Sequence, residues 1–118
     1  MTENDFPRPA RLSNGAEFKR VFGHRKVNGN RLFRIHSAPI VDDGCHGARL
    51  GLAISKRNAR RAVDRNRIRR QVRESFRVRR QKLDARDYVV TANSEAARAS
   101  DKDLRQALNQ LWLRFEIQ

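Results

Sequence analysis

The chain has 118 residues, 27 Lys and Arg against 13 Asp and Glu, a formal net charge of +14 and 38% hydrophobic residues. That length suits one small domain with a modest core, and a pI near 11.6 implies a polyanionic partner, nucleic acid before membrane. No stretch approaches the apolar length of a transmembrane helix, the N-terminus lacks a signal-peptide run, and the single Cys45 cannot close an internal disulfide, so a cytoplasmic setting is expected.

Residues 1–11 hold Pro7 and Pro9 among scattered charges and read as an extended arm on a single domain spanning 1–118. Ser13 or Asn14 is placed to cap a short helix with Glu17 in its first turn; Phe18, Val21 and Phe22 share one face and Gly23 ends it. His24 to Asn30 is irregular, with room for one short edge strand around Lys26 and Val27. Arg31 to Ile40 alternates, Phe33 and Ile35 to one side, Leu32, Arg34 and His36 to the other, as a strand does. Asp42 to Gly47 is a turn by composition. In the next strand, Arg49 to Ser55, Leu50, Leu52 and Ile54 alternate with Gly51, Ala53 and Ser55, and the small residues leave a face open to close helix packing or to a ligand.

The following stretch organises the chain. From Lys56 to Lys82 there are thirteen Lys or Arg and two acids, Asp64 and Glu74, so the remainder is nearly neutral. Ile68, Val72 and Phe76 recur every four residues, Leu83 extends the bearing, and together they predict one apolar helical stripe. Arg69, Arg73, Arg77 and Arg80 flank it, while Asn66, Arg67 and Arg70 point further round. Val63 is off the stripe, which puts the helix start near Asp64 as N-cap and its end near Gln81. A charge run is ordinarily a solvated face. Here Arg65, Arg69, Arg73 and Arg77 repel one another at helical spacing, which favours neutralisation by a partner. The preference for Arg over Lys suits planar, bidentate contact with phosphate.

Asp87 to Ala92 is a third clear strand. Ser100 then caps a last helix with Asp103 at the capping-box position and Leu104, Ala107, Leu108, Leu111, Trp112 and Phe115 on its apolar face. The order αβββαβα predicts an α+β (α/β two-layer) domain: a small mixed sheet of about four strands with three helices, the basic helix joining two parallel strands.

Catalytic chemistry is not visible. The acids are scattered, Asp42 and Asp43 read as a solvated turn, and His24, His36 and His46 have no metal-ligand spacing with Cys45, so no catalytic residue and no metal ligand is assigned. Phe18 and Phe22, one helical turn apart, with Arg34 and His36 on one strand face, suit single-stranded nucleic acid, although two Phe at that spacing are ordinarily core.

The run Lys56-Arg57-Asn58-x-Arg60-Arg61-Ala62-x-x-Arg65-Asn66-Arg67-Ile68-Arg69-Arg70-x-x-Arg73-Glu74-x-Phe76 resembles the Arg-Asn-Arg signature of the bacterial ribonuclease P protein subunit. Phe6-Pro7-Arg8, Phe18-x-x-x-Phe22 and the closing helix with Leu111-Trp112 extend that resemblance over nearly the whole chain. The resemblance implies a fold like the second domain of ribosomal protein S5, with a left-handed βαβ crossover where chirality alone favours a right-handed one. It implies a subunit of the endoribonuclease that removes the 5′ leader of precursor tRNA. The RNA subunit then carries the active site and its Mg2+, and the chain alone is inactive, with no cofactor of its own. Lys56, Arg57, Arg60, Arg61, Arg65, Asn66, Arg67, Arg69, Arg70 and Arg73 are expected on the catalytic RNA, and Phe18, Phe22, Arg34 and His36 on the precursor tRNA leader. Neither DNA nor membrane is an expected partner. Two departures stand out: His36 lies where several relatives have a larger aromatic, and Asn58-Ala59-Arg60-Arg61 replaces the shorter, glycine-containing crossover of others. The alternative reading is a general RNA-binding or ribosome-associated protein; a stand-alone nuclease or DNA-binding protein fits less well.

Overall fold

Alternation and helical periodicity become seven regular elements in the computed structural model, which describes residues 12, 15–24, 26–40 and 47–117. They are α1 (Gly15–Gly23), β1 (Lys26–Gly29), β2 (Phe33–Pro39), β3 (Arg49–Ala53), α2 (Ala62–Arg79), β4 (Arg86–Ala92) and α3 (Asp101–Trp112). Short 3-10 turns cover Arg80–Lys82, Ser94–Arg98 and Leu113–Phe115. The four strands lie in the order β1-β2-β4-β3, with β3 and β4 parallel and the other pairs antiparallel. The fold is therefore the mixed α+β arrangement that the element order predicts. The N-terminal arm, the Ser13 or Asn14 cap and the Asp42 to His46 turn lie outside the described residues.

The start of α2 corrects one expectation. The helix begins at Ala62, with Arg61 at the N-cap making no side-chain cap bond, so Asp64 sits within the first turn. Val63 is 58% exposed there, because a first-turn residue need not follow the stripe that meets the core. Asp64 serves as a first-turn anion near the positive end of the helix, 3.5 Å from Arg61. The α-helix also stops at Arg79 rather than Gln81, and buried Leu83 lies beyond it in a bridge to Glu116. At α3 the cap is as expected: the Ser100 side chain accepts from the Asp103 N–H at 3.1 Å.

Because side chains alternate across a strand, the sheet has two unlike faces. Phe33, Ile35, Leu50, Tyr88 and Val90 face Ile68, Val72 and Phe76 of α2 and Leu104, Leu108, Leu111 and Trp112 of α3 in the main core. Tyr88 and Trp112 meet edge to face with ring centroids 5.5 Å apart, and the indole N–H donates to Ser75 Oγ at 2.9 Å. The opposite face is covered in part, by α1, through a small cluster of Leu12, Val21, Ala38 and Val89 with Phe18 and Ala53 packed on it. Gly51 lets α1 approach. A Cβ there would fall 2.7 Å from Phe18 Cε1, so the small residues of β3 serve close packing at this position.

Candidate nucleic-acid interface

The basic segment begins in the loop after β3. The Ala59 N–H donates to Ser55 O at 3.0 Å, Asn58 Nδ2 donates to Ala92 O at 2.9 Å, and Ala59 is buried, so the loop is pinned to the sheet. Arg65 completes it by donating to the carbonyls of Ala59 and Arg60 at 2.9 and 2.8 Å. The loop backbone is thereby held while Lys56, Arg57, Arg60 and Arg61 remain exposed.

Along α2 the ten expected RNA-contact residues divide. Asn66, Arg70 and Arg73 are exposed on the face opposite Ile68, Val72 and Phe76, with Arg69 beside them and 3.4 Å from Asn66 Oδ1. Lys56, Arg57, Arg60, Arg70 and Arg73 have no side-chain hydrogen bond or ion pair among the described residues. Arg67 is different. Its guanidinium donates to Ala99 O at 2.8 Å, Ala97 O at 3.1 Å and Asp101 Oδ1 at 3.0 Å, fastening α2 to the turn that leads into α3. Arg65 and Arg67, the two arginines of the signature, thus hold backbone carbonyls, and Asn66 between them points outward. The resemblance implies RNA contact for all three, and spacing carries no signal for the carbonyls that Arg67 reaches some thirty residues away.

On the other face of the sheet, strand register lays the remaining expected residues side by side. Arg34 pairs across with Gly29 and Thr91, and His36 with Val27 and Val89. The Phe22 ring stands against the His36 imidazole, edge to face with centroids 4.8 Å apart, and Phe22 keeps 37% of its surface exposed. Phe18 lies against Gly51 and is half-buried, so the two phenylalanines part company: one packs α1 on the sheet and the other stands at its rim. Partial burial, then the Arg34 cation, holds the His36 pKa below its usual 6.5, so the ring is neutral at pH 7. Together these residues set two aromatic rings and an exposed guanidinium side by side where α1 meets the sheet, a strip called the α1 groove. Thr91 and Ala53 extend it toward the end of the sheet from which the basic loop departs. Ala53 belongs to the small-residue face of β3 that the sequence left open to packing or to a ligand, whereas nothing in the sequence singled out Thr91.

A charged cluster under α1 also escaped the sequence reading. Asp87 is fully buried and accepts from Arg49 and from Arg20, partners 38 and 67 residues away in the chain. Among the described residues no three His, Cys, Asp or Glu side chains gather to hold a metal ion, and no helix is long and apolar enough to cross a membrane.

The arrangement is matched elsewhere. The chain fits the family model for Ribonuclease P over residues 6–116. It is 40% identical over 113 residues to the ribonuclease P protein component of Thioalkalivibrio sulfidiphilus, covering 96% of this chain and 92% of that protein. With the component of Escherichia coli O157:H7 the identity is 39% over 114 residues, covering 97% and 93%. The RNase P protein of Staphylococcus aureus, solved at 2.0 Å, superposes with a TM-score of 0.79 at 28% identity, covering 89% of this chain and 93% of that one. That of Thermotoga maritima, in complex with 1-(4-fluorophenyl)-2-thiourea, gives 0.77 at 26%, covering 90% and 100%. On the strength of a shared sequence over almost its whole length and a shared fold, the chain belongs to the ribonuclease P protein component family.

Proposed function

We propose that this chain docks on the catalytic RNA of ribonuclease P through the loop after β3 and the outward face of α2, and holds the 5′ leader of precursor tRNA in the groove between α1 and the sheet. As a component of ribonuclease P it is a subunit of the endoribonuclease that matures tRNA 5′ ends. The observation that supports the division of labour is the set of exposed cations with no side-chain partner among the described residues, Arg70 and Arg73 on α2 across the sheet from the Phe22–His36 pair and Lys56, Arg57 and Arg60 in the loop at the end of β3. Phosphate neutralisation by such a row releases counterions and supplies affinity without reading sequence. The groove suits the opposite task. Its rings accept an unpaired base by stacking, which needs no particular base, and Arg34 offers a cation to the leader backbone.

In this reading the bond is cut by the RNA subunit with its Mg2+, and the chain's cations lower the Mg2+ demand by offsetting phosphate repulsion. Phe22→Ala tests the groove. In the reconstituted holoenzyme it weakens precursor tRNA relative to mature tRNA by about 1–3 kcal/mol, the worth of one stacked base. Equal affinity of the wild-type holoenzyme for leader-bearing and leaderless tRNA would instead favour a general RNA-binding protein.

A further inference from the structure

The face of the sheet that carries the groove also holds four charged side chains with no part in the contacts proposed above. Asp87 of β4 is buried to 0% exposure. Its carboxylate accepts from Arg49 of β3 twice, Nε to Oδ1 at 2.7 Å and Nη2 to Oδ2 at 2.8 Å. Oδ2 also accepts from Nη2 of Arg20, which belongs to α1. Arg49 in turn lies 2.9 Å from Glu17 Oε2 on α1, and the second amino group of Arg20 donates to Pro39 O at 2.8 Å at the end of β2. Two cations face two anions, so the cluster is neutral, and it ties one short helix to three strands.

The apolar hold on α1 is slight by comparison. The helix has nine residues, Val21 is its one buried side chain, and a helix of that length has little stability of its own. Apolar contact is non-directional and tolerates sliding. A bidentate arginine–carboxylate pair and a second arginine on the same carboxylate fix both distance and rotation. Phe22 rides on this helix two residues beyond Arg20, so the hold on α1 sets where its ring stands against His36.

We propose that the Asp87–Arg20–Arg49–Glu17 cluster is the positioning device of the groove, holding α1 so that Phe22 stands where it accepts a base of single-stranded RNA; this rests on the leader reading above. Arg20 is the residue to change, because its removal leaves the buried Arg49–Asp87 pair intact. The experiment is a double-mutant cycle in the reconstituted holoenzyme. The ratio of affinities for leader-bearing and leaderless tRNA is measured for wild type, Arg20→Gln, Phe22→Ala and the double variant, with RNA-subunit affinity and thermal unfolding alongside. Arg20→Gln lowers the ratio roughly tenfold, as loss of one stacked base does, and leaves RNA-subunit affinity unchanged. The double variant is no worse than Phe22→Ala, because both act through one ring. Arg20→Lys, which keeps one donor for Asp87, restores part of the ratio. Should Arg20→Gln prove unfolded, Glu17→Gln, which loosens the same helix from its other end, enters the cycle in its place. A ratio that stays at the wild-type value in the folded variant, or losses that multiply in the double variant, overturns the proposal. If Phe22→Ala itself leaves the ratio unchanged, the leader reading fails and the positioning role falls with it; if Phe22→Ala acts and Arg20→Gln does not, the positioning role alone fails.

Discussion

Arg67 and Arg70 are three residues apart on α2, yet the fold gives them different work. Arg67 holds two carbonyls and Asp101, with a quarter of its side chain exposed, while Arg70 projects into solvent with no partner among the described residues. A guanidinium already bonded within the chain has fewer donors left for phosphate. Arg70→Ala should therefore reduce the salt slope of RNA-subunit binding by about one and leave unfolding within about 0.5 kcal/mol of wild type. Arg67→Ala should do the reverse, keeping the slope and losing about 1.5–3 kcal/mol in urea unfolding, the worth of hydrogen bonds to a charged group. Equal slopes for the two variants would return Arg67 to the RNA surface.

Among the elements, α1 and α2 show what a sequence does and does not disclose. The stripe of Ile68, Val72 and Phe76 is legible because burial of one helix face repeats every three to four residues, and all three side chains are buried. The start of α2 was misplaced because Val63 breaks that pattern in a turn that never meets the core. Alternation in β2 and the Ser100 cap were legible for the same local reason. Strand order and the Asp87 cluster were not, since they depend on which distant segments come to lie side by side. The open face of β3 was legible as two possibilities, and Gly51 shows which applies where α1 crosses it. Gly51→Val should therefore clash with Phe18, cost about 1–3 kcal/mol by overpacking and weaken leader binding by displacing α1. Thermal unfolding and the leader-dependent affinity ratio check both halves. Unchanged values would mean that α1 is not pressed on the sheet at this point.

At the scale of the whole molecule, one sheet separates the two tasks proposed for the chain. Its larger core, under α2 and α3, gives the basic helix its base, and its thinner side, under α1, leaves Phe22 against His36 at the rim of the helix. The cations were readable in advance because they are concentrated between Lys56 and Lys82. The separation of the α2 cations from Phe22 and His36 was not, because it depends on α2 and α1 packing on opposite faces of one sheet. The loop from Ser55 to Arg61 lies between β3 and α2, so on the proposed reading RNA docked on it lies next to a leader in the groove. On the proposed reading such an arrangement binds and orients, and bond breaking belongs to the RNA. The most direct measurement is precursor tRNA cleavage at limiting Mg2+ by the purified chain freed of nucleic acid, by a bacterial ribonuclease P RNA alone, and by the two together. The account predicts no cleavage by the chain, little by the RNA, and efficient removal of the 5′ leader by the mixture. Cleavage by the nucleic-acid-free chain, or a mixture no better than RNA alone, would contradict it.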